Sequence, residues 1–367
     1  MFSGERVGVL TNLPTHYRLP LFASIARRIG AAGGELRVFF SESRFGTREY
    51  LHGGEPGFPH EYLRALHVPG AGTAPLDLET RLASYSPTIL LAPGFSPLVS
   101  GRAARFARRS GVPFGLWSGE PPHAPTAASR SRRLQRVALV RKAGFAIAYG
   151  GLAAAYLRSL APRLPLVVGR NTTPVRAPAL RAGTGPLSAL AVSQAIPRKG
   201  LDTVIDAFRL VPAEVATLTV IGDGSALPRL RERARGLGHV RLAGAVASAA
   251  IAEEYARAEL FLFPTRFDVF GLTLVEAMAS GIPTIASSAA GAVYDLADPG
   301  QNAEILEPGG PVSWAGAVNR LAGDQRERDR MGAAARATIE SRWTVQHAAD
   351  SMVAGLRLGL MRTGAPE

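Results

Sequence analysis

The chain contains no cysteine among its 367 residues. This excludes disulfide bonds, thiolate metal sites and a cysteine nucleophile, and it suits a reducing compartment such as the cytoplasm. No uncharged apolar run approaches the roughly 18–20 residues that a membrane-spanning helix needs. The first residues, MFSGERVGVLTNLP, lack a basic segment followed by an apolar one. No signal peptide is therefore expected.

Lysine is nearly absent. Lys142 and Lys199 are the only two, so arginine carries almost all of the net charge of +13. A GC-rich genome would explain the choice of arginine but not its placement. Residues 1–180 contain 23 Lys+Arg and 9 Asp+Glu, whereas residues 181–367 contain 19 and 20. Such a basic first half favours an anionic partner over mere solvation.

The basic charge is densest in residues 102–142, where ten basic residues accompany a single acid. We interpret this segment as a surface for an anionic membrane or a phosphorylated acceptor. Nucleic acid is not expected as a partner, because no binding motif is recognised and aromatic residues make up only 7% of the chain.

Short apolar runs alternate with helical patterns along the chain, as is typical of parallel α/β layers. One series spans residues 1–170 and a second spans 187–344. Between them, residues 171–186 are rich in Pro, Gly and Thr without a helical period, which indicates an interdomain linker. The sequence therefore predicts two doubly wound α/β domains. Ligands are expected at the carboxyl ends of the strands, in a cleft between the domains.

Three loops of the second series each follow a predicted strand and open a predicted helix. They are SQAIPRKG (193–200), GDGS (222–225) and DVFGLT (268–273). Helix N-termini bind phosphate, Gly271 would let the backbone approach it, and Lys199 and Arg198 would add positive charge. An acid such as Glu276 in the first turns could bind ribose hydroxyls. Each loop alone could be an ordinary turn, but together they predict a nucleoside diphosphate site.

The stretch DVFGLTLVEAMASGIPT (268–284) resembles the motif E-G-F-G-L-x-x-x-E-A-M-A-x-G-x-P-V of retaining family 4 glycosyltransferases. Further similar segments are PRKG (197–200), GDGSALPRL (222–230), AGAV (243–246) and, in one branch of the family, NLPTHYRLPLF (12–22). The resemblance is dense over residues 187–345 and loose in the first half.

The resemblance implies the GT-B fold, in which two Rossmann-like domains face a deep cleft. Residues 1–170 would form the acceptor-binding domain and residues 187–344 the nucleotide-sugar-binding domain. The helical stretch 345–362 would pack back onto the first domain. The family works without a metal, and no Asp-x-Asp motif or histidine cluster suggests one here. The expected co-substrate is a nucleotide-diphosphate sugar, with no cofactor.

The resemblance also implies roles for matching positions. Glu276 would bind the ribose hydroxyls, Asp268 would reach the sugar hydroxyls, and Lys199, with Arg198 beside it, would stabilise the leaving diphosphate. The remaining donor-binding positions would be Gln194, Gly222, Gly224, Val246, Phe270, Gly271, Leu272 and Thr273.

Two positions depart from the family pattern. Asp268 stands where the family has glutamate, and the shorter acid could reach a different hydroxyl and so mark a different sugar. Gln194 stands where the family has a basic residue, which weakens the diphosphate clamp unless Arg198 compensates.

In the first half, the family commonly places a histidine against the sugar. The candidates are His123 in WSGEPPHAP and His16 in PTHYR, and a histidine of an ordinary surface loop is an equal alternative for each. Glu120, the single acid of the basic segment, is a candidate acceptor base or positioning group.

The sequence thus predicts a cytoplasmic retaining glycosyltransferase with peripheral contact to the inner membrane. Front-face transfer would pass the acceptor proton to the departing phosphate. The acceptor would be lipid-linked or anionic, or a small natural product. A Rossmann oxidoreductase is discounted, since residues 10–15 read LTNLPT rather than G-x-G-x-x-G. A non-catalytic nucleotide-sugar-binding protein stays open because of Asp268 and Gln194.

Overall fold

The computed structural model describes residues 2–42, 54–68, 72–122, 124, 129–177 and 185–361. The chain forms two compact units. The first unit is Met1–Thr172 together with Val345–Glu367, and the second unit is Thr173–Thr344.

The first unit is built on a parallel sheet. The strands of this unit are β1 Arg6–Thr11, β2 Glu35–Phe40, β3 His60–Tyr62, β4 Ala65–Val68, β5 Gly72–Pro75, β6 Ile89–Pro93, β7 Phe114–Ser118, β8 Phe145–Ala148 and β9 Leu166–Val168. Its helices before the second unit are α1 Leu19–Ala31, α2 Leu78–Tyr85, α3 Ser100–Arg109, α4 Arg130–Val140 and α5 Gly151–Leu160.

Seven of these strands form one sheet in the order β3-β2-β1-β6-β7-β8-β9, and β4 pairs only with β5, antiparallel to it. The central strands are short apolar runs because helices cover both faces of a parallel sheet. The strand order reverses between β1 and β6, which are hydrogen-bonded neighbours with Val7 opposite Ile89.

The second unit holds a six-stranded sheet. Its strands are β10 Leu187–Val192, β11 Ala216–Ile221, β12 Val240–Gly244, β13 Leu260–Phe263, β14 Thr284–Ser287 and β15 Glu304–Leu306. Its helices are α6 Leu201–Ala207, α7 Leu227–Arg233, α8 Ser248–Arg257, α9 Leu272–Ala279, α10 Val293–Leu296, α11 Pro311–Gly323 and α12 Gln325–Arg342.

The order β12-β11-β10-β13-β14-β15 is the strand order of a dinucleotide-binding sheet, with all pairs parallel. The order reverses between β10 and β13, where Ala189 lies opposite Leu260. Loops that follow these two strands therefore open at the topological switch point, where such sheets bind ligands.

The last described helix, α13 Val345–Met361, belongs to the first unit and packs against α1. Ser24 donates a hydrogen bond to Gln346 at 3.0 Å, and Arg28 forms a 3.0 Å salt bridge with Asp350. Gly355 lies so close to the sheet that a Cβ there would meet the side chain of Ile147 at 2.4 Å. The glycine thus lets the helix lie directly on β8.

The segment expected to be a linker is partly structured. Residues 178–184 lie outside the described residues, but Ala177 donates its backbone N–H to Ser280 Oγ at 3.0 Å and so belongs to the second unit. Just before the expected linker, Leu166–Val168 forms β9, which adds to the edge of the first sheet beside β8. Its three apolar residues are too short a run to predict a strand from sequence alone.

Two helices of the second unit are shorter than the helical patterns in their sequence. The pattern LDTVIDAFRLV (201–211) predicts a helix that in fact ends at Ala207, and the pattern LPRLRERARGLG (227–238) predicts one that ends at Arg233. The sequence does not predict strand β15. Its three residues are only partly buried, so they do not form a clear apolar run. In the described part of the chain, no helix is long and apolar enough to cross a membrane.

Candidate active site

Lys199 lies at the switch point of the second sheet, in the loop between β10 and α6. A short 3-10 turn, Pro197–Lys199, ends at Gly200, whose φ of +66° lies in the left-handed region. A Cβ on Gly200 would stand 2.0 Å from the carbonyl oxygen of Pro264. Glycine is therefore required for the loop after β10 to pass the loop after β13.

The two loops are hydrogen-bonded to one another. The carbonyl oxygen of Arg198 accepts from the backbone N–H of Arg266 at 2.8 Å, and Arg198 Nη1 donates to the carbonyl oxygen of Phe267 at 3.0 Å. The Arg198 side chain is exposed, whereas Lys199 is buried. These bonds fix Lys199 beside the start of the second loop.

Lys199 forms a salt bridge with Asp268, and both side chains are about one-tenth exposed. The second carboxylate oxygen of Asp268 accepts from the backbone N–H of Phe270 at 3.4 Å. The Lys199 ammonium also lies 5.8 Å from the centre of the Phe263 ring. The structure thus brings together two residues that sequence reasoning assigned to different parts of a donor, the sugar and the diphosphate.

Helix α9 begins beside this pair, at Gly271. Its φ is +107°, and a Cβ there would meet the Phe263 ring at 2.7 Å, so both backbone and space require glycine. The amides of Leu272 and Thr273 are the first of the helix and have no carbonyl one turn earlier within it. The Phe270 side chain is buried and stacks on Trp343, at 6.0 Å between ring centres. Phe270 can therefore offer a ligand only its backbone.

Gly222 and Gly224 lie in the loop after β11. A Cβ on Gly222 would stand 1.7 Å from the Ser193 carbonyl oxygen, and one on Gly224 would stand 2.6 Å from the Ala195 carbonyl oxygen. These glycines are required by the close packing of two loops of the protein itself. That need explains both residues without a ligand.

Gln194 and Val246 complete the predicted donor positions. Both side chains are partly buried, and Val246 packs against the apolar cluster around α9. The carbonyl oxygen of Gln194 accepts from the backbone N–H of Ile196 at 2.9 Å, which tightens the loop before Lys199.

Glu276 lies on α9 in a separate, buried cluster. Its Oε1 accepts from Thr173 Oγ1 at 3.1 Å, and its Oε2 accepts from the Tyr255 hydroxyl at 2.7 Å. Burial raises the pKa of Glu276 to about 7, although the two hydrogen bonds act in the opposite direction. Burial and the neighbouring carboxylate raise the pKa of Tyr255 well above its usual range.

The resemblance assigned Glu276 to the ribose hydroxyls, but its carboxylate is not on an open helix face. Both carboxylate oxygens are bonded to protein groups, and the residue is only 6% exposed. Sequence reasoning missed Thr173, which stood in the expected linker, and Tyr255, whose helix carries no motif.

Two candidates of the first unit, Glu120 and His16, lie in loops at the carboxyl edge of its sheet. Glu120 follows β7 and accepts from Arg136 Nη2 at 2.5 Å, in a salt bridge with a buried guanidinium. The Arg136 Nη1 donates to the Tyr156 hydroxyl at 2.7 Å. His16 follows β1 and packs edge-on against Tyr17, at 5.4 Å between ring centres. His123 lies outside the described residues.

No group of three or more metal-ligating side chains occurs within the ranges that the structure describes. The cations predicted for a donor site are the buried Lys199 and the exposed Arg198.

Residues 177–338 match the protein family described as Glycosyl transferases group 1. A GDP-mannose-dependent alpha-(1-6)-phosphatidylinositol monomannoside mannosyltransferase of Mycobacterium tuberculosis is 32% identical over 175 residues, which cover 44% of this chain and 45% of that protein. The chain thus spans less than half the length of the curated relatives it matches.

Solved structures match nearly the whole chain. The sucrose-phosphate synthase of Thermosynechococcus elongatus has a TM-score of 0.77 at 16% identity and covers 98% of this chain and 100% of its own. Anabaena Alr3699/HepE in complex with UDP has a TM-score of 0.73 at 18% identity, covering 96% and 99%. At such identities the likeness concerns the fold alone. The predicted GT-B fold, with two parallel-sheet α/β units, is confirmed. Over residues 177–338, the resemblance to a glycosyltransferase is confirmed as well.

Proposed function

We propose that this chain, which carries a group 1 glycosyl transferase domain over residues 177–338, transfers a sugar from a nucleotide-diphosphate sugar to an acceptor hydroxyl. The observation that carries the proposal is the position of Lys199. It is buried at the switch point of the second sheet, paired with Asp268 and beside the first amides of α9. A diphosphate would find both a fixed cation and a helix N-terminus there.

In the proposed reaction, Lys199 and the amides of Leu272 and Thr273 hold the diphosphate. The bond between the anomeric carbon and the phosphate oxygen breaks while the acceptor oxygen bonds to the same face of that carbon. Because the new bond forms on the face that the phosphate leaves, the anomeric configuration is retained, and the acceptor proton passes to the departing phosphate. Since the ammonium and the amides stabilise the developing phosphate charge, the reaction as proposed uses no metal ion.

Asp268 has two tasks in this proposal. Its salt bridge orients the Lys199 ammonium, and its carboxylate would accept a hydrogen bond from a hydroxyl of the donor sugar. One methylene shorter than the glutamate of the family motif, it would select a sugar whose hydroxyl lies closer to the loop. Each carboxylate oxygen of Glu276 accepts one hydrogen bond from the protein and would accept a second from a ribose hydroxyl.

The proposed acceptor is anionic or lipid-linked. The support is the basic segment, in which eight of ten cationic side chains are exposed. The other two are Arg102, which pairs with Glu79, and the buried Arg136. Leu134 is 71% exposed on α4 amid these arginines. This surface would place the protein peripherally on an anionic membrane. A small natural product is the other acceptor class.

A non-catalytic donor-binding protein is the second candidate function. It is favoured by the two acids of the motif, which are already bonded to protein groups.

One experiment separates the two functions. The protein is incubated with UDP-, GDP- and dTDP-sugars, donor binding is followed by thermal shift, and nucleotide release is followed over time. Slow release that Lys199→Ala abolishes and Lys142→Ala preserves supports the transferase, since Lys142 is the other lysine of the chain. Saturable donor binding without release by any preparation supports the binding protein. A transfer product with inverted configuration would contradict the retaining mechanism.

A further inference from the structure

A second polar cluster lies in the first unit, at the switch point of its own sheet. The strand order there reverses between β1 and β6, so the loop after β1, residues 12–18, opens where such sheets bind ligands. Arg18 ends this loop and precedes α1. Arg18 has no part in the proposed donor site.

Arg18 is held by the ends of three strands. Its Nη1 donates to Thr11 Oγ1 at 2.6 Å, at the end of β1, and its Nη2 donates to the Tyr149 hydroxyl at 3.0 Å, just after β8. The guanidinium carbon lies 5.2 Å from the centre of the Trp117 ring, on β7, and 5.7 Å from that of Tyr17. Three aromatic residues therefore surround a fixed cation.

Among the described residues, no acid forms an ion pair with this cation. A guanidinium has five N–H donors, of which two are used here. In the described part of the chain, Arg18 makes no salt bridge. Two acids follow other strands of the sheet, Glu42 after β2 and Glu120 after β7. Both have other partners: Glu42 accepts from Thr73 at 2.7 Å, and Glu120 pairs with Arg136.

Thr15, in the same loop, is a second polar group available to a ligand. It is 3% exposed, and its Oγ1 has no hydrogen-bond partner among the described residues. The backbone N–H of Arg18 donates to the Thr15 carbonyl oxygen at 2.9 Å, so the two residues share one turn. A buried hydroxyl without a partner is unfavourable, and a bound anion would accept its hydrogen bond.

We propose that Arg18, with Tyr17, Trp117 and Tyr149 around it, binds the anionic group of the acceptor, a phosphate or a carboxylate. The planar fork of the guanidinium fits either anion in a bidentate way. The surrounding rings exclude water and accept a ring to which the anion is attached. This inference rests on the proposed glycosyltransferase function, because it assigns the second substrate of that reaction.

The test uses ligand binding to the full chain, measured by calorimetry. Phenyl phosphate, benzoate and neutral phenol are the probes, each with and without UDP or GDP, whichever stabilises the protein more. We expect one or both anions to bind in the presence of the nucleotide, and phenol not to bind. Arg18→Gln should weaken anion binding at least about tenfold, Arg18→Lys should weaken it less, and nucleotide affinity should be unchanged in both.

Arg27→Gln is the matched control, because Arg27 is an exposed arginine of α1, the helix that Arg18 precedes. It should leave all affinities unchanged, which separates a local contact from a general loss of positive charge. A preference for phenyl phosphate or for benzoate identifies the anion.

Three results would overturn the proposal: no saturable binding of either anion to the wild-type protein, equal binding to wild type and Arg18→Gln, or a loss of nucleotide affinity in Arg18→Gln larger than the loss for the anions. The last would assign Arg18 to the donor. None of these measurements needs turnover, so a failure of the proposed transferase activity is seen separately.

Discussion

Lys199 and Asp268 form a buried salt bridge although they are 69 positions apart in the chain. Adjacent parallel strands, β10 and β13, end at the same sheet edge, and the loops after them are hydrogen-bonded to one another. The pair is therefore a product of topology. Both residues come from the motifs that suggested a donor site, and each is the other's partner.

The effects of substituting Lys199 and Asp268 on the free energy of unfolding should be strongly coupled. Lys199→Met and Asp268→Asn each leave a buried group without its partner, so each should lower the free energy of unfolding by about 3 kcal/mol. The double variant should lose about 1–3 kcal/mol less than the sum of the two. Urea unfolding of the four proteins measures this coupling. The exposed pair Glu253 and Arg257 is the control, with an expected coupling below about 0.5 kcal/mol. Additive losses for Lys199 and Asp268 would contradict a buried salt bridge.

The catalytic contribution of Lys199 should appear in kcat. Removal of the ammonium in Lys199→Ala takes away charge that is needed most as the diphosphate departs, so kcat should fall about 10²–10³-fold and KM much less. Steady-state kinetics with the active donor found by the nucleotide-release panel measures both constants. Lys142→Ala removes the same side chain from an exposed position and should match wild type. An unchanged kcat in Lys199→Ala would refute the leaving-group role.

The stability of the protein should depend on pH through Glu276. Burial raises its pKa from 4.5 to about 7, so between these values the folded protein binds a proton that the unfolded chain does not. This contribution to stability is fully present below about pH 4.5 and is lost as the pH rises to about 7, by up to about 3 kcal/mol. Glu276→Gln should flatten that part of the profile, measured by urea unfolding at several pH values.

The control for this pH dependence is Glu340→Gln, an exposed glutamate of the same unit. Its profile should keep the shape of the wild type. A wild-type stability that rises steadily between pH 5 and 7, with no difference in Glu276→Gln, would show that the carboxyl is not buried as described.

Sequence patterns predicted the two α/β units because strands buried on both faces are short apolar runs and the helices between them have their own period. They also placed Lys199 and Asp268 in one site, since loops after parallel strands share an edge. They could not predict the partners of Glu276. Its hydrogen bond to Thr173 spans 103 positions and its hydrogen bond to Tyr255 spans 21. Both depend on how α8 and the start of the second unit pack against α9.

Glycine is ambiguous in the sequence for a similar reason. A glycine before a helix can admit a phosphate or a neighbouring loop, and only the packing distinguishes the two. At Gly222 the near atom is a carbonyl oxygen of the protein, and at Gly271 it belongs to the ring of Phe263. The sequence motif was informative about the domain, but it did not reveal what each glycine contacts.

Tyr255→Phe tests whether the cluster around Glu276 serves the nucleotide. The loss of a 2.7 Å hydrogen bond to a buried carboxylate should lower the free energy of unfolding by about 1–3 kcal/mol and raise the Glu276 pKa further. If the ionised carboxylate binds ribose, nucleotide affinity in Tyr255→Phe should reach its maximum at higher pH than in wild type. Titration with nucleotide from pH 6 to 9 measures this shift.

Tyr294→Phe is the matched control, since Tyr294 is 62% exposed in the same unit. It should change neither stability nor the pH of maximal affinity. A stability loss in Tyr255→Phe without any shift of the affinity profile would make the cluster purely structural.

The basic face of α4 should govern binding to anionic vesicles. Arg130 and Arg132 are exposed and lie in the first turn of the helix, where glutamate is well tolerated by the helix dipole. Arg130→Glu combined with Arg132→Glu should therefore fold normally but co-sediment much less with phosphatidylserine vesicles at low salt. The control reverses the same charge at Arg326 and Arg342, exposed on α12 of the second unit, and should bind like wild type.

Binding of the wild-type protein should also fall as salt rises, because the attraction is screened beyond about 10 Å at 0.1 M ionic strength. Wild-type protein that stays in the supernatant at low salt, or equal loss in both double variants, would remove the membrane from the proposal and leave a dissolved anionic or neutral acceptor.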